Sequence, residues 1–186
     1  MRIKLFRIHT TVNHPEAMVD FERNADEIFA FFKMNTGDEQ RIHRRKLNFV
    51  AQSGYTLANV VKTDFLACTS ALLFSKRFFN RVGKHFKEEM QFFPCQVSCQ
   101  GVNLEWYAVK ILRLISIINI DKEGDCEYIN DDIIFDPIKY RGDIAERFYI
   151  ARDCNEVTEF VVTELFVDVC NANNILIDYE EVPYSC

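Results

Sequence analysis

Glycine and proline are scarce in this 186-residue sequence, at six and four residues. The glycines never cluster, so neither a GxxxxGK[ST] phosphate loop nor a GxGxxG dinucleotide fingerprint can be built. Histidine is also thin. His9, His14, His43 and His85 form no i, i+4 pair on a helix, and HExxH is absent. No stretch approaches 18 uninterrupted apolar residues, so no membrane span is expected. The most apolar window, 114–120, is short and broken by Ser116 and Asn119. The N-terminus mixes charge into its apolar residues and lacks the core and cleavage site of a signal peptide, which predicts a cytoplasmic protein. Seven cysteines, an odd number at scattered spacings, argue against a disulfide framework and read as reduced thiols. Cys95-x-x-x-Cys99 has no second pair at zinc-finger spacing, so neither a structural metal nor any other cofactor is expected.

Phenylalanine is abundant, at 17 residues, several in adjacent pairs such as Phe31–Phe32, Phe78–Phe79 and Phe92–Phe93. With 48% hydrophobic residues, the chain has enough apolar mass for a core of large rings and is not compositionally disordered. The net charge of −6 is unevenly spread: residues 1–120 carry +6 and residues 121–186 carry −12. Such asymmetry bears on partners, although a mixed solvated surface is its ordinary meaning.

Period-two alternation makes residues 2–8 a strand, and a short helix follows over 24–34, with Asp26 and Glu27 in its first turn. The polar stretch 35–45 reads as a loop, and 47–51 and 55–61 as short strands around a Ser53-Gly54 turn. Then comes the clearest unit: an apolar run 71–74, Ser75 at a helix N-cap, a Phe78/Phe79/Val82/Phe86 stripe, and a strand over 90–97. Pro94 places that strand at an edge or bulge. The unit recurs near the C-terminus, with Thr163 in the place of Ser75, a Phe166/Val169/Cys170 stripe, an Asn173-Asn174 stop and a strand over 175–182. Strands over 104–119, 133–135 and 148–151 complete the set. The expectation is an α+β fold, mostly antiparallel sheet with a few short helices, in which two strand–helix–strand units form a weak internal repeat. Residues 1–63 would be an N-terminal strand and helix segment packed on a main domain 64–186, itself two units (64–120 and 121–186), or the whole chain 1–186 would be a single domain.

No GxSxG nucleophile elbow is present, and a hydroxyl beginning a helix, as at Ser75 and Thr163, ordinarily caps it. His43-Arg44-Arg45-Lys46 and the cations of helix 76–87 could face nucleic acid. A solvated face and the net acidity argue instead for no nucleic-acid partner. Acidic residues cluster over 121–136. Asp121, Glu123, Asp125 and Glu127 alternate as calcium ligands do, but the EF-hand order is not met. Asp131 and Asp132, adjacent on a strand, would point to opposite faces. The stretch reads as a solvated loop or as an acidic surface for a basic partner.

Four stretches together carry a resemblance: 64–66 (DFL) followed by 72–78 (LLFSKRF); 91–94 (QFFP); 106–112 (WYAVKIL) leading to Ile120-Asp121; and 148–152 (FYIAR) followed by 160–166 (FVVTELF). They resemble a bacterial domain family first catalogued as of unknown function, whose members are found as immunity proteins beside polymorphic toxins. The match spans roughly 64–182. Where family members often carry glycine after the final helix, this chain has Asn173-Asn174. The resemblance implies a cytoplasmic, non-enzymatic protein that binds a cognate toxin domain and blocks its active site or substrate surface. Asp121, Glu123, Asp125, Glu127, Asp131 and Asp132 are the expected partner-binding residues. The competing readings are a small-molecule or peptide-binding module with a phenylalanine-rich cleft, and an enzyme whose groups meet only in space.

Overall fold

The computed structural model describes the backbone of residues 3–14, 17–22, 25–119, 126–129, 132–135 and 139–183, and the side chains of these outside 126–135. Among the described residues, thirteen strands and five α-helices run in the order β1 (Leu5–His9), β2 (Val19–Phe21), α1 (Ala25–Phe32), α2 (Glu39–Arg44), β3 (Leu47–Ala51), α3 (Leu57–Val60), β4 (Phe65–Ala67), β5 (Leu72–Ser75), α4 (Lys76–Val82), β6 (Met90–Cys99), β7 (Val102–Ile111), β8 (Leu114–Ile115), β9 (Cys126–Ile129), β10 (Asp132–Phe135), β11 (Ile150–Asp153), β12 (Phe160–Thr163), α5 (Glu164–Ala172) and β13 (Asp178–Glu181). A 3-10 turn, Gly83–His85, extends α4.

The strands build a six-stranded sheet, β2-β3-β6-β7-β5-β4, a five-stranded sheet, β13-β1-β12-β11-β8, and the separate hairpin β9/β10. Among the described strands, all pairings are antiparallel except β3/β6 and β8/β11, so the fold is α+β with mostly antiparallel sheet. The first sheet curls until its edges meet at a bridge between Val19 and Cys68. Its longest hairpin, β6/β7, turns at Gln100 and Gly101, both with positive φ (50° and 80°), the conformation that two-residue hairpin loops require.

The internal repeat is visible in the pairing. In the first unit β4 and β5 form a hairpin, α4 follows, and β6 returns beside β7, which also pairs with β5. In the second, β11 and β12 form the hairpin, α5 follows, and β13 returns beside β1, which also pairs with β12. Trp106 lies between Ser75 and Cys95, and Leu5 lies opposite Thr163 with its carbonyl accepting from Val182 N. The N-terminal strand β1 therefore stands in the second unit where β7 stands in the first.

Three apolar cores result. The first lies inside the curled sheet, where Phe31 and Phe32 of α1 meet Phe93 edge-on at 5.3 and 5.4 Å. The second joins the two sheets through the facing helices: Phe78 and Phe86 from the α4 region pack on Phe166 of α5. The third backs the five-stranded sheet with Ile117, Tyr140 and Phe148. The phenylalanines expected to line a cleft are spent on this ring-on-ring packing.

Several local expectations need correction. Residues 57–60 are helical, not strand, because Thr56 and Asn59 form a reciprocal capping box. The polar stretch 35–45 contains α2, whose Asp38 side chain accepts from Gln40 N at 2.9 Å and whose Ile42 anchors it in the first core. Pro94 sits in an interior strand. It is tolerated because β3 begins opposite Cys95, leaving Pro94 just outside the stretch paired on that side. Ser75 caps α4 as expected, accepting from Phe78 N at 3.0 Å. Thr163 starts α5 but its hydroxyl donates to Phe148 O at 2.6 Å, so it ties strands and caps nothing.

Candidate partner-binding surface

Of the residues expected to meet a partner, Asp121, Glu123, Asp125 and Asp131 lie outside the described residues. Glu127 and Asp132 fall on the β9/β10 hairpin, where the register sets Glu127 opposite Ile134 and Asp132 opposite Ile129.

Asp64, Ser75 and Arg77 are bound to one another. Asp64, fully buried just before β4, accepts from Ser75 Oγ, from Arg77 Nε at 2.9 and 3.0 Å, from Arg77 Nη2 at 2.7 Å and from Leu176 N at 2.7 Å. Its own N–H donates to Leu176 O at 2.9 Å. Leu176 leads into β13, so this hub fastens the first unit to the second. Glu89, leading into β6, does the reverse, accepting from Tyr149 N and Ile150 N at 2.8 and 2.9 Å. Arg152, buried in β11, donates to Phe32 O at 2.6 Å and to Lys33 O at the C-terminal end of α1, where free carbonyls favour a cation. Burial lowers its pKa to about 10. These polar side chains are consumed in holding the units together.

Several of the described thiols and imidazoles are likewise engaged or enclosed, whereas Cys154 and His85 are exposed. Burial raises the pKa of Cys95 and Cys99, and pushes Cys170 up to about 12, which keeps all three protonated and poorly nucleophilic near neutrality. Cys95 and Cys99 both belong to the first core. His43 bonds Glu39 at 3.1 Å and rests on the Phe93 ring, and His9 bonds Glu180 at 3.1 Å. Among the described residues no three of His, Cys, Asp and Glu come together as metal ligands. None of the described helices is long and apolar enough to cross a membrane.

One open surface is the part of the outer face of the six-stranded sheet over β3, β6 and β7 that the second core leaves uncovered. Along β3, Leu47 and Phe49 turn into the first core, and Asn48 and Val50 turn out. The register aligns Asn48 with Gln96 and Glu105, and Val50 with Ser98 and Asn103. Two depressions lie there, of ≈ 260 and ≈ 210 Å³, sharing Lys46 and Gln96. The larger reaches Pro94, Tyr107, Glu105 and Lys76; the smaller reaches Glu22, Asn48, Ser98 and Asn103. Lys76 pairs with Glu105, whose contact raises the lysine's pKa. Asn48 Nδ2 donates to Glu22 at 3.2 Å, whereas its Oδ1 is buried without a partner. Lys46 is exposed and, among the described residues, has no ion-pair partner. At the margin Phe79 of α4 stacks on Tyr107 at 4.1 Å.

Sequence reasoning named Lys46 and Lys76 only within two separate basic segments and did not see them meet. Glu22, Asn48, Gln96, Ser98, Asn103 and Glu105 left no local signal, because it is the strand alternation and pairing that bring them together. Compared with known families and curated proteins, the chain matches no family model and no curated protein.

Proposed function

We propose that this chain is an immunity protein: it binds a cognate bacterial toxin domain and neutralises it by covering the toxin's active site or substrate surface. The toxin half of this reading rests on the family resemblance of residues 64–182. The binding half rests on one structural observation. Asp64, Glu89 and Arg152 are engaged at the joints between the units, and an open polar surface lies on the outer sheet face over β3, β6 and β7, with its groove at Lys46, Asn48, Gln96 and Glu105. Such a face suits contact with another macromolecule.

In this proposal the acidic stretch 121–136 supplies a second part of the surface, motivated by the −12 charge of residues 121–186. Acidic groups would speed encounter with a basic toxin and could mimic a nucleic-acid substrate. The packing of the phenylalanines into cores weighs against the alternative of a phenylalanine-lined ligand cleft.

The test is co-expression with any toxin-like C-terminal domain encoded immediately upstream. A stable complex that restores growth supports the proposal; free toxin and continued killing would remove it. Within such a complex, reversing Asp125, Asp131 and Asp132 together should slow association and weaken binding at least tenfold. Unchanged affinity would remove the acidic stretch from the surface.

A further inference from the structure

We propose that the chain carries a further binding site, for the phosphate monoester group of a small polar molecule of the sugar-phosphate class, in the cavity between the segment that follows β1 and the segment that forms α3. The site is independent of the neutralisation reading and uses none of the surface assigned there to a partner.

The cavity, of ≈ 460 Å³, is lined by Thr11, Asn13 and His14 after β1 and by Thr56, Asn59 and Lys62 in and around α3, with Val12 and Gly54 completing it. That is a size suited to a small molecule. The lining is held from behind. Val12 packs on the first core, its N–H donates to Thr10 Oγ1 at 3.3 Å, and its carbonyl accepts from His14 N at 3.1 Å. Val60 anchors α3 in the same core, and the Lys62 carbonyl accepts from Arg77 Nη2 at 3.3 Å.

The chemistry of the lining selects an oxyanion. The capping box engages the oxygens of Thr56 and Asn59: Thr56 Oγ1 accepts from Asn59 N at 3.3 Å, and Asn59 Oδ1 accepts from Thr56 N at 2.8 Å. What these two side chains still offer is donors, the Thr56 hydroxyl hydrogen and the Asn59 Nδ2 amide. Lys62 is exposed and has no ion-pair partner among the described residues, so its three ammonium hydrogens are open to a ligand. The Thr11 hydroxyl and the Asn13 amide add further donors. None of these lining residues is a carboxylate, in a chain with 28 Asp and Glu against 22 Lys and Arg. In the groove on the sheet face, by contrast, Glu22 and Glu105 offset the two lysines. The backbone amides of α3 do not make the site: Leu57 N donates to Gln100 Oε1 at 3.2 Å and Asn59 N to Thr56, which leaves the binding to side chains. A phosphate monoester presents three charged oxygens to such a set of donors, one more than a carboxylate. No Phe, Tyr or Trp lines the cavity, so a base has no platform to stack on, and the polar lining suits a hydroxylated body.

The experiment is isothermal titration calorimetry on the full chain, with ribose 5-phosphate as the probe and ribose, inorganic phosphate and citrate as comparisons. The expected result is saturable binding of ribose 5-phosphate at one equivalent, with a Kd under about 1 mM, and binding at least tenfold weaker for each comparison. Lys62→Ala and Asn59→Asp should each weaken the probe at least tenfold. Asn59→Asp keeps the oxygen that accepts from Thr56 N and replaces the donor end with a carboxylate oxygen, so it spoils the site without uncapping α3. Lys62→Ala alters an exposed side chain, and its thermal melt should match the parent's. No saturable binding of the probe, or binding that survives both substitutions, would overturn the proposal. Ribose, inorganic phosphate or citrate binding as tightly as ribose 5-phosphate would overturn it as well. None of these outcomes bears on neutralisation, which is tested by complex formation with the toxin domain.

Discussion

Replacing Asp64 with Asn changes almost no volume and removes one charge, which makes it a clean probe of the joint between the two units. The carboxylate takes donors at both oxygens: Ser75 Oγ and Arg77 Nε at Oδ1, and Arg77 Nε, Arg77 Nη2 and Leu176 N at Oδ2. Whichever oxygen becomes an amide nitrogen, its N–H groups confront at least two donors. Breaking one half of a buried, hydrogen-bonded ion pair costs about 3–5 kcal/mol. Here the lower end applies, because the Arg77 side chain is 33% exposed and water can take up part of the lost interaction. For a chain of this size, about 3 kcal/mol corresponds to a fall of about 6–12 °C in melting temperature. Circular dichroism melts of the wild type and Asp64→Asn would measure it. Adding Arg77→Met should recover part of the loss by removing the stranded cation, giving a favourable coupling in the double-mutant cycle. A fall under about 2 °C, or strictly additive losses, would refute the idea that this hub holds the units together.

Three further outcomes are expected. Because β1 occupies in the second unit the place of β7 in the first, joining Pro183 to Lys4 by a short turn and opening the chain after Asn13 should give a permutant that folds and melts within a few degrees of the parent; an unfolded product would contradict the equivalence. Phe78→Ala, which deletes a fully buried ring packed on Phe74 at 4.3 Å and Phe166 at 6.0 Å, should cost about 3–5 kcal/mol in urea unfolding, and Phe79→Ala at the exposed margin under about 1 kcal/mol. Stability should fall as pH rises above the ordinary thiol value of 9.0, because Cys95 and Cys170 ionise on unfolding but stay protonated when folded, Cys170 up to about 12. Each thiol contributes about 1.4 kcal/mol per pH unit in that window, so Cys170→Ala should flatten the slope by about that amount in denaturant titrations at pH 9–11.

The parts of the fold legible in the sequence were those with a local cause. Ser75 before a Phe78/Val82/Phe86 stripe announces a capped helix, and the 47–51 alternation announces a strand, because one face of each is buried. Residues 55–61 misled, since Tyr55, Val60 and Val61 favour strand by type, whereas the Thr56–Asn59 capping box decides the backbone. The stretch 35–45 hid α2 because its single buried anchor, Ile42, leaves no periodicity to read. Pro94 pointed to an edge, and the physical truth is finer: an interior strand locally unpaired on one side. The stretch Ser-Lys-Arg-Phe did not reveal by itself that Arg77 reaches back 13 residues to Asp64. The groove was illegible for the same cause: its residues come from three strands, a helix start and the segments flanking β2 and β3, and only the curled sheet sets them side by side.

The most direct measurement of the central claim is the stoichiometry of neutralisation, obtained by titrating the purified protein into a fixed amount of its cognate toxin domain and following residual toxin activity. A protein that acts by occupying the toxin surface predicts a linear loss of activity ending at one equivalent, with activity returning when the complex is dissociated. Complete inactivation by a small fraction of an equivalent, persisting after the two proteins are separated, would contradict binding as the mechanism and mark the chain as a catalyst acting on the toxin.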